Sequence, residues 1–294
     1  MRIAAIMNPV AGASRQRAAI RALLAELSRR GARVELQQTG AAGDAVRFAR
    51  EAAGATDAVI AIGGDGTVCE VVNGLTGQST PLLIWPTGTE NLVAKSLGFR
   101  SRPEVICSCL DAGHTRILDI GVANGRSFMV VAGIGFDAEV VHRLTRYRRG
   151  HITHLAYSAP IWRTFWEHRF PLLRVEADGF TWNGQGLVFV GNMARYALGL
   201  PVVRDAVPDD GLLDLLILPC HSQIGLLGHS LRTLLKMHVG YKGVVYERVH
   251  RVAISAEEQV PFELDGDAVG FLPLEVSIVP SAIHVLVPPP HLCR

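Results

Sequence analysis

The chain has 294 residues, which is the length of about two domains of ordinary size. Hydrophobic residues make up 49% of the chain and charged residues 19%, and this composition excludes disordered and fibrous proteins. The 29 basic and 27 acidic residues nearly balance, so the net charge of +2 argues against a dedicated nucleic-acid binder. The five cysteines are odd in number and scattered, which indicates a reducing, cytoplasmic location. Because no apolar run approaches the length of a transmembrane helix, we expect any membrane contact to be peripheral.

Strand-like and helix-like segments alternate over the first 118 residues. Apolar runs predict strands at 3–7, 34–36, 58–62 and 82–85. Helical spacing of apolar residues predicts a first helix that begins after Ser14, a plausible N-cap, and stops at Gly31. Further helices are predicted at 44–53, at 68–75 and from about 90 to 97, the last closed by Gly98. This alternation indicates an α/β domain whose mostly parallel sheet is covered by helices on both faces.

The pattern changes at about residue 119, where short apolar stretches are separated by Gly, Asn and Asp. They predict strands at 117–122, 128–131, 172–176, 187–190, 212–218, 252–254, 274–279 and 283–287. Two helical insertions are predicted near 152–168 and 224–237. The second domain, 119–280, is therefore expected to be β-rich. The last strand lies between prolines and could close this domain or return to the first.

The motif Gly63-Gly64-Asp65-Gly66-Thr67 follows a predicted strand and precedes a predicted helix. A helix N-terminus with nearby glycines suits phosphate, because its backbone N–H groups are unpaired and the backbone can approach closely. Thr67 could cap the helix, and Asp65 suggests a metal ion or a proton acceptor close to the phosphates. The alternative is a tight turn that happens to contain Asp-Gly. The motif is neither a Walker loop nor a GxGxxG fingerprint.

Without a Walker lysine, a phosphate site needs another source of positive charge. Arg15 and Arg17, which follow the first strand, are candidates, although they could equally form a solvated helix face. A second glycine-bearing junction, Pro86-Thr87-Gly88-Thr89-Glu90-Asn91, follows the next strand, with Thr89 as the expected N-cap. Two such junctions on successive strands favour a shared cleft.

Six motifs occur in order along the chain: Asn8-Pro9 with Gly12, residues 63–67, residues 86–91, Gly133-Ile134-Gly135-Phe136-Asp137-Ala138, Asp209-Asp210-Gly211-Leu212-Leu213-Asp214 and Leu264-Asp265-Gly266-Asp267. Together they resemble the diacylglycerol kinase catalytic-domain family, which also contains sphingosine and ceramide kinases. The resemblance implies an N-terminal α/β nucleotide domain, 1–118, similar to those of NAD kinases and phosphofructokinases. It also implies a C-terminal β-sandwich, with residues 281–294 returning to the first domain and ATP bound in the interdomain cleft.

The same resemblance implies the site residues. Contacts with ATP would come from Asn8, Thr39, Gly63, Gly64, Asp65, Gly66, Thr67, Val68, Cys69, Glu70 and Thr89. Asp267 would be the catalytic base, with Asp65 beside the phosphates. A structural Mg²⁺ would be held by Asp210 and by the carbonyls of Val207 and Leu212.

The chain departs from the family pattern at three places. Asp267 stands where glutamate is usual, Leu92 replaces an acidic residue, and 191–200 stands where a glycine triplet is common. Transfer of a γ-phosphoryl group to an alcohol still needs charge neutralisation and a carboxylate that accepts the hydroxyl proton. Asp65 and Asp267 would meet these two needs. Asp119 could join a polar network under the site or be an ordinary strand-end residue.

Arginines and aromatic residues are interleaved over 143–169. The cluster consists of Arg143, Arg146, Tyr147, Arg148, Arg149, His151, Trp162, Arg163, Phe165, Trp166, His168 and Arg169. One interpretation is a helix face that docks on an anionic bilayer; the other places the aromatic residues in the core and the arginines in solvent.

These observations favour an ATP- and Mg²⁺-dependent lipid kinase that phosphorylates a hydroxyl of a membrane-derived lipid, such as diacylglycerol or a sphingoid-like lipid. The alternatives are a soluble-substrate kinase of the NAD kinase type and a catalytically weak nucleotide- and lipid-binding module. We expect a cytoplasmic protein that meets its lipid at the inner membrane face, with no nucleic-acid partner. The acceptor lipid and homodimer formation stay open.

Overall fold

The computed structural model describes residues 1–13, 16–147, 158–196 and 199–292. The chain divides into two compact units. The first consists of Met1–Leu118 and Ser281–Arg294, and the second of Asp119–Pro280. Among the described residues, no helix combines the length and the hydropathy that a transmembrane span requires.

The first unit alternates strands and helices in chain order. Its elements are β1 (Arg2–Met7), α1 (Arg17–Arg29), β2 (Arg33–Gln38), α2 (Asp44–Ala52), β3 (Ala58–Gly63), α3 (Asp65–Leu75), β4 (Leu82–Pro86), α4 (Leu92–Ser96) and α5 (Pro103–Ala112). A short π-helical turn, Pro9–Ala13, follows β1. The four strands predicted for this region are all present, and α5 is an addition to the prediction.

The strands of the first unit form a parallel sheet in the order β2-β1-β3-β4. The far edge of β4 pairs, also in parallel, with the last strand of the chain, β15 (Leu274–Leu286), where Val285 faces Leu82. Every residue of β3 and β4 is buried, as expected for central parallel strands covered on both faces. Because the strands are parallel, the loops after β1, β3 and β4 leave the sheet at the same edge.

Small residues let α2 and α3 pack closely. A Cβ atom added to Gly74 of α3 would lie 2.5 Å from both the Cβ of Ala49 and the carbonyl oxygen of Val46. Only glycine therefore fits at this contact, which holds the two helices together behind the motif that begins α3.

The second unit is mostly β-structure. Its elements are β5 (Thr115–Ala123), β6 (Arg126–Phe128), β7 (Val131–Ile134), α6 (Phe136–Tyr147), α7 (Ser158–Glu167), β8 (Leu172–Ala177), β9 (Phe180–Gly191), β10 (Leu213–Pro219), α8 (Gln223–Leu234), β11 (Val245–Val249), β12 (Arg251–Ser255), β13 (Pro261–Leu264) and β14 (Asp267–Phe271). The boundaries between the two units fall within β5 and β15.

Two sheets of the second unit share the long strand β9. Its first half pairs with β8, which continues to β12 and to the start of β15. Its second half pairs with β7 and β10, and these continue to β13-β14 and to β11. Buried side chains of both sheets form one core, including Val175, Val190, Leu215, Ile254 and Val276. The predicted β-sandwich is confirmed.

Several predicted boundaries were wrong. The strands predicted at 274–279 and 283–287 form one strand, β15, that continues through Pro280. Residues 279–281 are exposed. Pro280 has no N–H group to donate, but because this part of the strand faces solvent, no buried hydrogen-bond acceptor loses its partner. The short strands β11, β13 and β14 and the helix α6 were not predicted at all.

Candidate active site

Three glycine-bearing loops touch one another at the carboxyl edge of the parallel sheet in the first unit. A Cβ atom added to Gly88, after β4, would lie 2.7 Å from the Cα of Gly64, after β3. A Cβ atom added to Gly12, after β1, would overlap the carbonyl oxygen of Thr87, and Gly12 also has a positive φ of 73°. The sequence expectation that two glycine junctions meet is therefore confirmed, and the loop after β1 joins them.

The helix α3 begins inside the Gly63–Thr67 motif. Gly64 is its extended N-cap residue and, as glycine, brings no capping side chain. The predicted helix start at residue 68, with Thr67 as the cap, was wrong: Asp65, Gly66 and Thr67 form the first turn, and the Thr67 side chain packs on Gly63. The backbone N–H groups of a first helical turn have no intrahelical partner, so this end of α3 can bind phosphate oxygens.

Asp65 joins the second loop to the third. Its Oδ1 accepts a hydrogen bond of 3.2 Å from the backbone N–H of Val93, in the first turn of α4. Burial raises the pKa of Asp65, while hydrogen bonds from the backbone N–H groups of Leu92 and Val93 act in the opposite direction. The structure thus gives Asp65 a positioning role, the capping of α4, beside the predicted phosphate site.

The loop after β4 is closed by Asn91 rather than by Thr89. Asn91, in the left-handed region at φ 51°, is the N-cap position of α4, so the prediction of Thr89 as the N-cap was wrong. The side chain of Asn91 accepts a 2.8 Å hydrogen bond from the N–H of Gly88 and donates a 2.7 Å bond to its carbonyl. Gly88 is thereby held against Gly64.

Other predicted nucleotide contacts lie at the ends of neighbouring elements. Asn8 directly follows β1 and accepts a 3.0 Å bond from the N–H of Val10. Thr39 directly follows β2, and its N–H donates a 2.9 Å bond to the carbonyl of Met7. The carboxylate of Glu70, in α3, accepts bonds of 3.1 and 3.2 Å from the N–H groups of Gly43 and Ala45. Glu70 therefore caps α2, which sequence reasoning did not predict.

Gln16, for which no role was predicted from the sequence, links the start of α1 to the end of β4. Its Oε1 accepts a 2.9 Å bond from Nε1 of Trp85, and its Nε2 donates a 3.2 Å bond to the carbonyl of Pro86. Ser101 bonds the same carbonyl at 2.6 Å. These contacts fix the start of α1, and so the backbone of Arg17, beside the end of β4. Arg15, the other predicted phosphate-binding arginine, lies outside the described residues.

The second unit presents Asp267 on a tight hairpin. Asp265 and Gly266, with φ of 51° and 86°, form the two-residue turn between β13 and β14, and Asp267 is the exposed first residue of β14. The Asp265 carboxylate accepts hydrogen bonds of 2.7, 2.8 and 2.9 Å from the N–H groups of residues 129–131. The hairpin is therefore fastened to the chain just before β7.

A buried acid cluster lies beneath this hairpin. Glu263 accepts a 2.6 Å bond from the N–H of Gly266, and Asp137 accepts a 3.0 Å bond from the hydroxyl of Tyr196. A side chain at Gly133 would lie 2.5 Å from Oε1 of Glu263 and 2.9 Å from Oδ2 of Asp137, so the glycine makes room for both acids.

Both carboxyl groups of the cluster have raised pKa values. Burial raises the pKa of Asp137 to about 6, and burial together with the neighbouring Asp137 raises the pKa of Glu263 well above its usual value. From the sequence, Asp137 was noted only as part of a family motif, and no role was predicted for Glu263 or Tyr196. The one sequence feature that could have pointed to Glu263 is its position two residues before the Asp265-Gly266 turn.

The predicted metal loop is organised by two aspartates. Asp119 accepts a 2.7 Å bond from the N–H of Gly211 and so holds this loop, while its membership of a polar network under the catalytic site stays a prediction. Asp210 accepts a 3.1 Å bond from the N–H of Leu212 and forms an ion pair with Arg248. Within the described part of the chain, no group of three or more His, Cys, Asp or Glu side chains could hold a metal ion.

This loop still suits a hard cation chemically. The predicted donors are one carboxylate, of Asp210, and two backbone carbonyls, of Val207 and Leu212, and oxygen donors of this kind are the ones that Mg²⁺ prefers. Arg248 supplies the positive charge beside Asp210 in this structure, so a metal ion would compete with it. The Mg²⁺ assignment stays a prediction.

The aromatic cluster of α7 faces outward. Trp162 and Trp166 are exposed, so the alternative that places the aromatic residues in the core is wrong for these two, and Phe165 is half-buried. Arg163 and Arg143 both pair with Glu167, at 2.9 and 2.5 Å. Arg148, Arg149 and His151 lie outside the described residues, and docking of this face on a bilayer stays a prediction.

Comparison with known proteins agrees with the architecture. The family model described as "Diacylglycerol kinase catalytic domain" matches residues 2–123. A second family model, described as "YegS C-terminal NAD kinase beta sandwich-like domain", matches residues 130–287. A crystal structure of a diacylglycerol kinase from Bacillus anthracis str. Sterne has a TM-score of 0.71 at 21% identity, covering 99% of this chain and 98% of that one. A second structure from the same organism has a TM-score of 0.80 at 23% identity, covering 99% and 96%.

Two curated relatives cover nearly the whole chain. The diacylglycerol kinase of Bacillus subtilis (strain 168) is 30% identical over 96% of this chain and 95% of its own. A probable lipid kinase YegS-like of Pseudomonas aeruginosa (strain UCBPP-PA14) is 32% identical over 92% and 89%. The chain therefore belongs to the diacylglycerol kinase catalytic-domain family, a family of phosphotransferases that act on alcohol groups.

Proposed function

We propose that this protein is an ATP-dependent lipid kinase that transfers the γ-phosphoryl group of ATP to a hydroxyl of a membrane-derived lipid. The observation that carries the proposal is the edge of the parallel sheet where Gly12, Gly64 and Gly88 meet and α3 begins without a capping side chain. Backbone there can approach phosphate oxygens closely and donate N–H groups to them.

In the proposed reaction, the residues of the first unit bind and orient the triphosphate. The first-turn N–H groups of α3 would donate to phosphate oxygens, and Thr67 lies in the same turn. Asp65 holds the N-terminus of α4 in place through the N–H of Val93, which keeps the loop of Gly88 against Gly64. Phosphoryl transfer depends chiefly on positioning and charge neutralisation, which is the work assigned to these loops.

The acceptor hydroxyl needs a group that takes its proton. We assign this role to Asp267, an exposed carboxylate at the start of β14 on a hairpin that Asp265 holds in place through three backbone hydrogen bonds. The aspartate side chain is about one methylene shorter than the usual glutamate. The assignment therefore requires the hydroxyl to approach the hairpin more closely.

We assign the structural Mg²⁺ to Asp210 with the carbonyls of Val207 and Leu212. When bound there, the ion would neutralise the carboxylate of Asp210 in place of Arg248. Asp119, through the N–H of Gly211, would keep the loop in shape. When bound, this ion would stabilise the loop of the second unit that Asp210 belongs to, and its role would be structural.

The names of two relatives, a diacylglycerol kinase and a probable lipid kinase, support a lipid as the acceptor. We propose diacylglycerol or a sphingoid-like lipid as the acceptor, reached at the cytoplasmic face of the membrane. The five cysteines are odd in number and scattered along the chain, which supports a reducing compartment.

One experiment separates this function from its alternatives. The protein is incubated with γ-labelled ATP, Mg²⁺ and a total lipid extract, and in parallel with NAD in place of lipid. Label that enters the organic phase supports the lipid kinase, label in NADP indicates the soluble-substrate alternative, and label in neither product, with ATP still bound, indicates a binding module. The proposal fails on either of the last two results.

A further inference from the structure

The helix α8 of the second unit exposes a continuous stripe of aliphatic side chains. Ile224, Leu227, Leu231 and Leu234 are between 55% and 84% exposed. Their spacing of three, four and three residues places them on one face of the helix. Leu235 and Met237, just after the helix, are also exposed. We call Ile224, Leu227, Leu231 and Leu234 the α8 stripe.

The polarity of α8 is inverted relative to an ordinary surface helix. Such a helix buries its apolar face, whereas the residues that α8 buries are Leu226, His229 and Thr233. The ring of His229 bonds the carbonyl of Pro219 at 2.9 Å, and the Ser222 side chain caps the helix by accepting from the N–H of Gly225. The helix is therefore firmly seated through its polar side, and its more apolar side faces outward.

The chain segment that contains α8 carries only basic formal charges. No acidic residue occurs between Asp214 and Glu247, while Arg232, Lys236 and Lys242 all lie in this interval. Lys236 and Lys242 are exposed, and the guanidinium of Arg232 stacks 3.8 Å above the ring of Tyr241. An aliphatic stripe flanked by cations and an aromatic ring complements a surface that is apolar inside and negatively charged outside.

We infer that the α8 stripe is a docking surface for an anionic lipid bilayer. The four aliphatic side chains enter the boundary between headgroups and acyl chains, and the flanking lysines lie at the level of the phosphates. A second copy of this chain fits less well, because two such basic faces would repel each other. The inference concerns binding only and does not depend on the assigned catalytic residues.

The test measures binding of the full chain to vesicles without nucleotide. Vesicles of equal parts phosphatidylglycerol and phosphatidylcholine are compared with pure phosphatidylcholine, using the wild type and the double variant Leu227→Gln/Leu231→Gln. Glutamine is a good helix former, so α8 should be kept. Each leucine that no longer enters the boundary between headgroups and acyl chains should weaken binding about tenfold. We therefore expect the apparent Kd of the double variant for anionic vesicles to rise about 100-fold.

Matched variants separate the stripe from general effects. Leu172→Gln changes a leucine of β8 that is 60% exposed and lies outside the stripe, and it should bind as the wild type does. Lys236→Gln and Lys242→Gln should each weaken binding to anionic vesicles about fivefold at low salt, and by less at high salt. Circular dichroism and thermal melting check that each variant is folded.

Three results would overturn the inference. One is equal binding of the wild type to anionic and to neutral vesicles. Another is wild-type binding by the Leu227/Leu231 variant while Trp162→Ser/Trp166→Ser abolishes binding, which would assign docking to α7. The third is a dimer, seen by light scattering, that this variant converts to a monomer without loss of vesicle binding. Failure of phosphate transfer with intact vesicle binding would count against the proposed function alone.

Discussion

The Asp265 carboxylate offers the most quantitative test of how the hairpin that carries Asp267 is built. It accepts three backbone hydrogen bonds, of 2.7, 2.8 and 2.9 Å, from the N–H groups of Met129, Val130 and Val131. All three of these residues are fully buried. Replacing Asp265 with alanine leaves three buried donors without an acceptor, and such a donor costs about 1–3 kcal/mol.

Backbone strain adds to this loss. Asp265 has a φ of 51°, and a left-handed conformation costs alanine about 1–2 kcal/mol. Since water can enter the space left by the carboxylate, we expect Asp265→Ala to lower the free energy of unfolding of the second unit by about 4 kcal/mol in total. Asp265→Gly removes the strain and should cost about 1 kcal/mol less. Asp265→Asn keeps one oxygen and tolerates the turn, so about 1–2 kcal/mol is expected.

Urea denaturation followed by tryptophan fluorescence measures these differences. Three of the four tryptophans, Trp162, Trp166 and Trp182, belong to the second unit, so most of the signal reports on the relevant unfolding step. The three variants should rank alanine, glycine and asparagine from most to least destabilised. An alanine variant within about 1 kcal/mol of the wild type, or an asparagine variant as unstable as alanine, would refute the account of the hairpin.

Three further predictions concern the nucleotide loops, the acid cluster and the metal loop. Gly88→Ala should weaken ATP binding about tenfold or more, because the added Cβ would press on Gly64. The control Gly40→Ala, whose added Cβ makes only a 3.7 Å contact, should bind ATP as the wild type does. Equal ATP affinities of the two variants in calorimetry would contradict the close approach of the loops. The buried acids have raised pKa values, so the stability that they contribute is present at low pH and is lost as the pH rises through about 6. Glu263→Gln, which mimics the protonated acid, should therefore gain a few degrees of Tm relative to the wild type between pH 6 and 9, and an unchanged difference across this range would be inconsistent with a raised pKa of Glu263. Asp210→Ala should abolish the rise in Tm that Mg²⁺ produces while changing kcat little; a fall in kcat alone would show that the metal is not structural.

The parallel sheet could be predicted from the sequence because its strands are buried on both faces. Each of β1, β3 and β4 is a continuous apolar run followed by glycine, proline or asparagine, and these local signals suffice. The order of the glycine motifs placed the candidate phosphate site at the same edge. The family resemblance supplied the β-sandwich and the roles of residues that local patterns alone leave ambiguous.

The start of α2 at Asp44 was predicted correctly, whereas the predicted starts of α3 and α4 were wrong. Asp65, at the start of α3, caps α4, and Glu70, later in α3, caps α2. The sequence rule that the nearest serine, threonine or aspartate caps a helix selected Thr67 and Thr89 instead. A tertiary contact, from Asp65, therefore caps α4, whereas α3 begins at a glycine that carries no capping side chain.

The acid cluster was missed for a similar reason. Asp137 and Glu263 are far apart in the chain, and only the pairing of β13 with β7 brings them together beside Gly133. Neither the spacing nor the type of these residues signals burial. The exposed face of α8 was also hidden, because an aliphatic stripe in a sequence normally indicates a core-facing helix.

The role of Asp267 is tested most directly by phosphate transfer to lipid. Labelled phosphate that enters the organic phase from γ-labelled ATP is measured for the wild type, Asp267→Asn and Asp267→Glu, with ATP affinity measured in parallel. If Asp267 accepts the hydroxyl proton, the asparagine variant loses about 10²-fold or more in turnover at unchanged ATP affinity, while the glutamate variant retains activity. Turnover of Asp267→Asn close to that of the wild type would contradict the assignment.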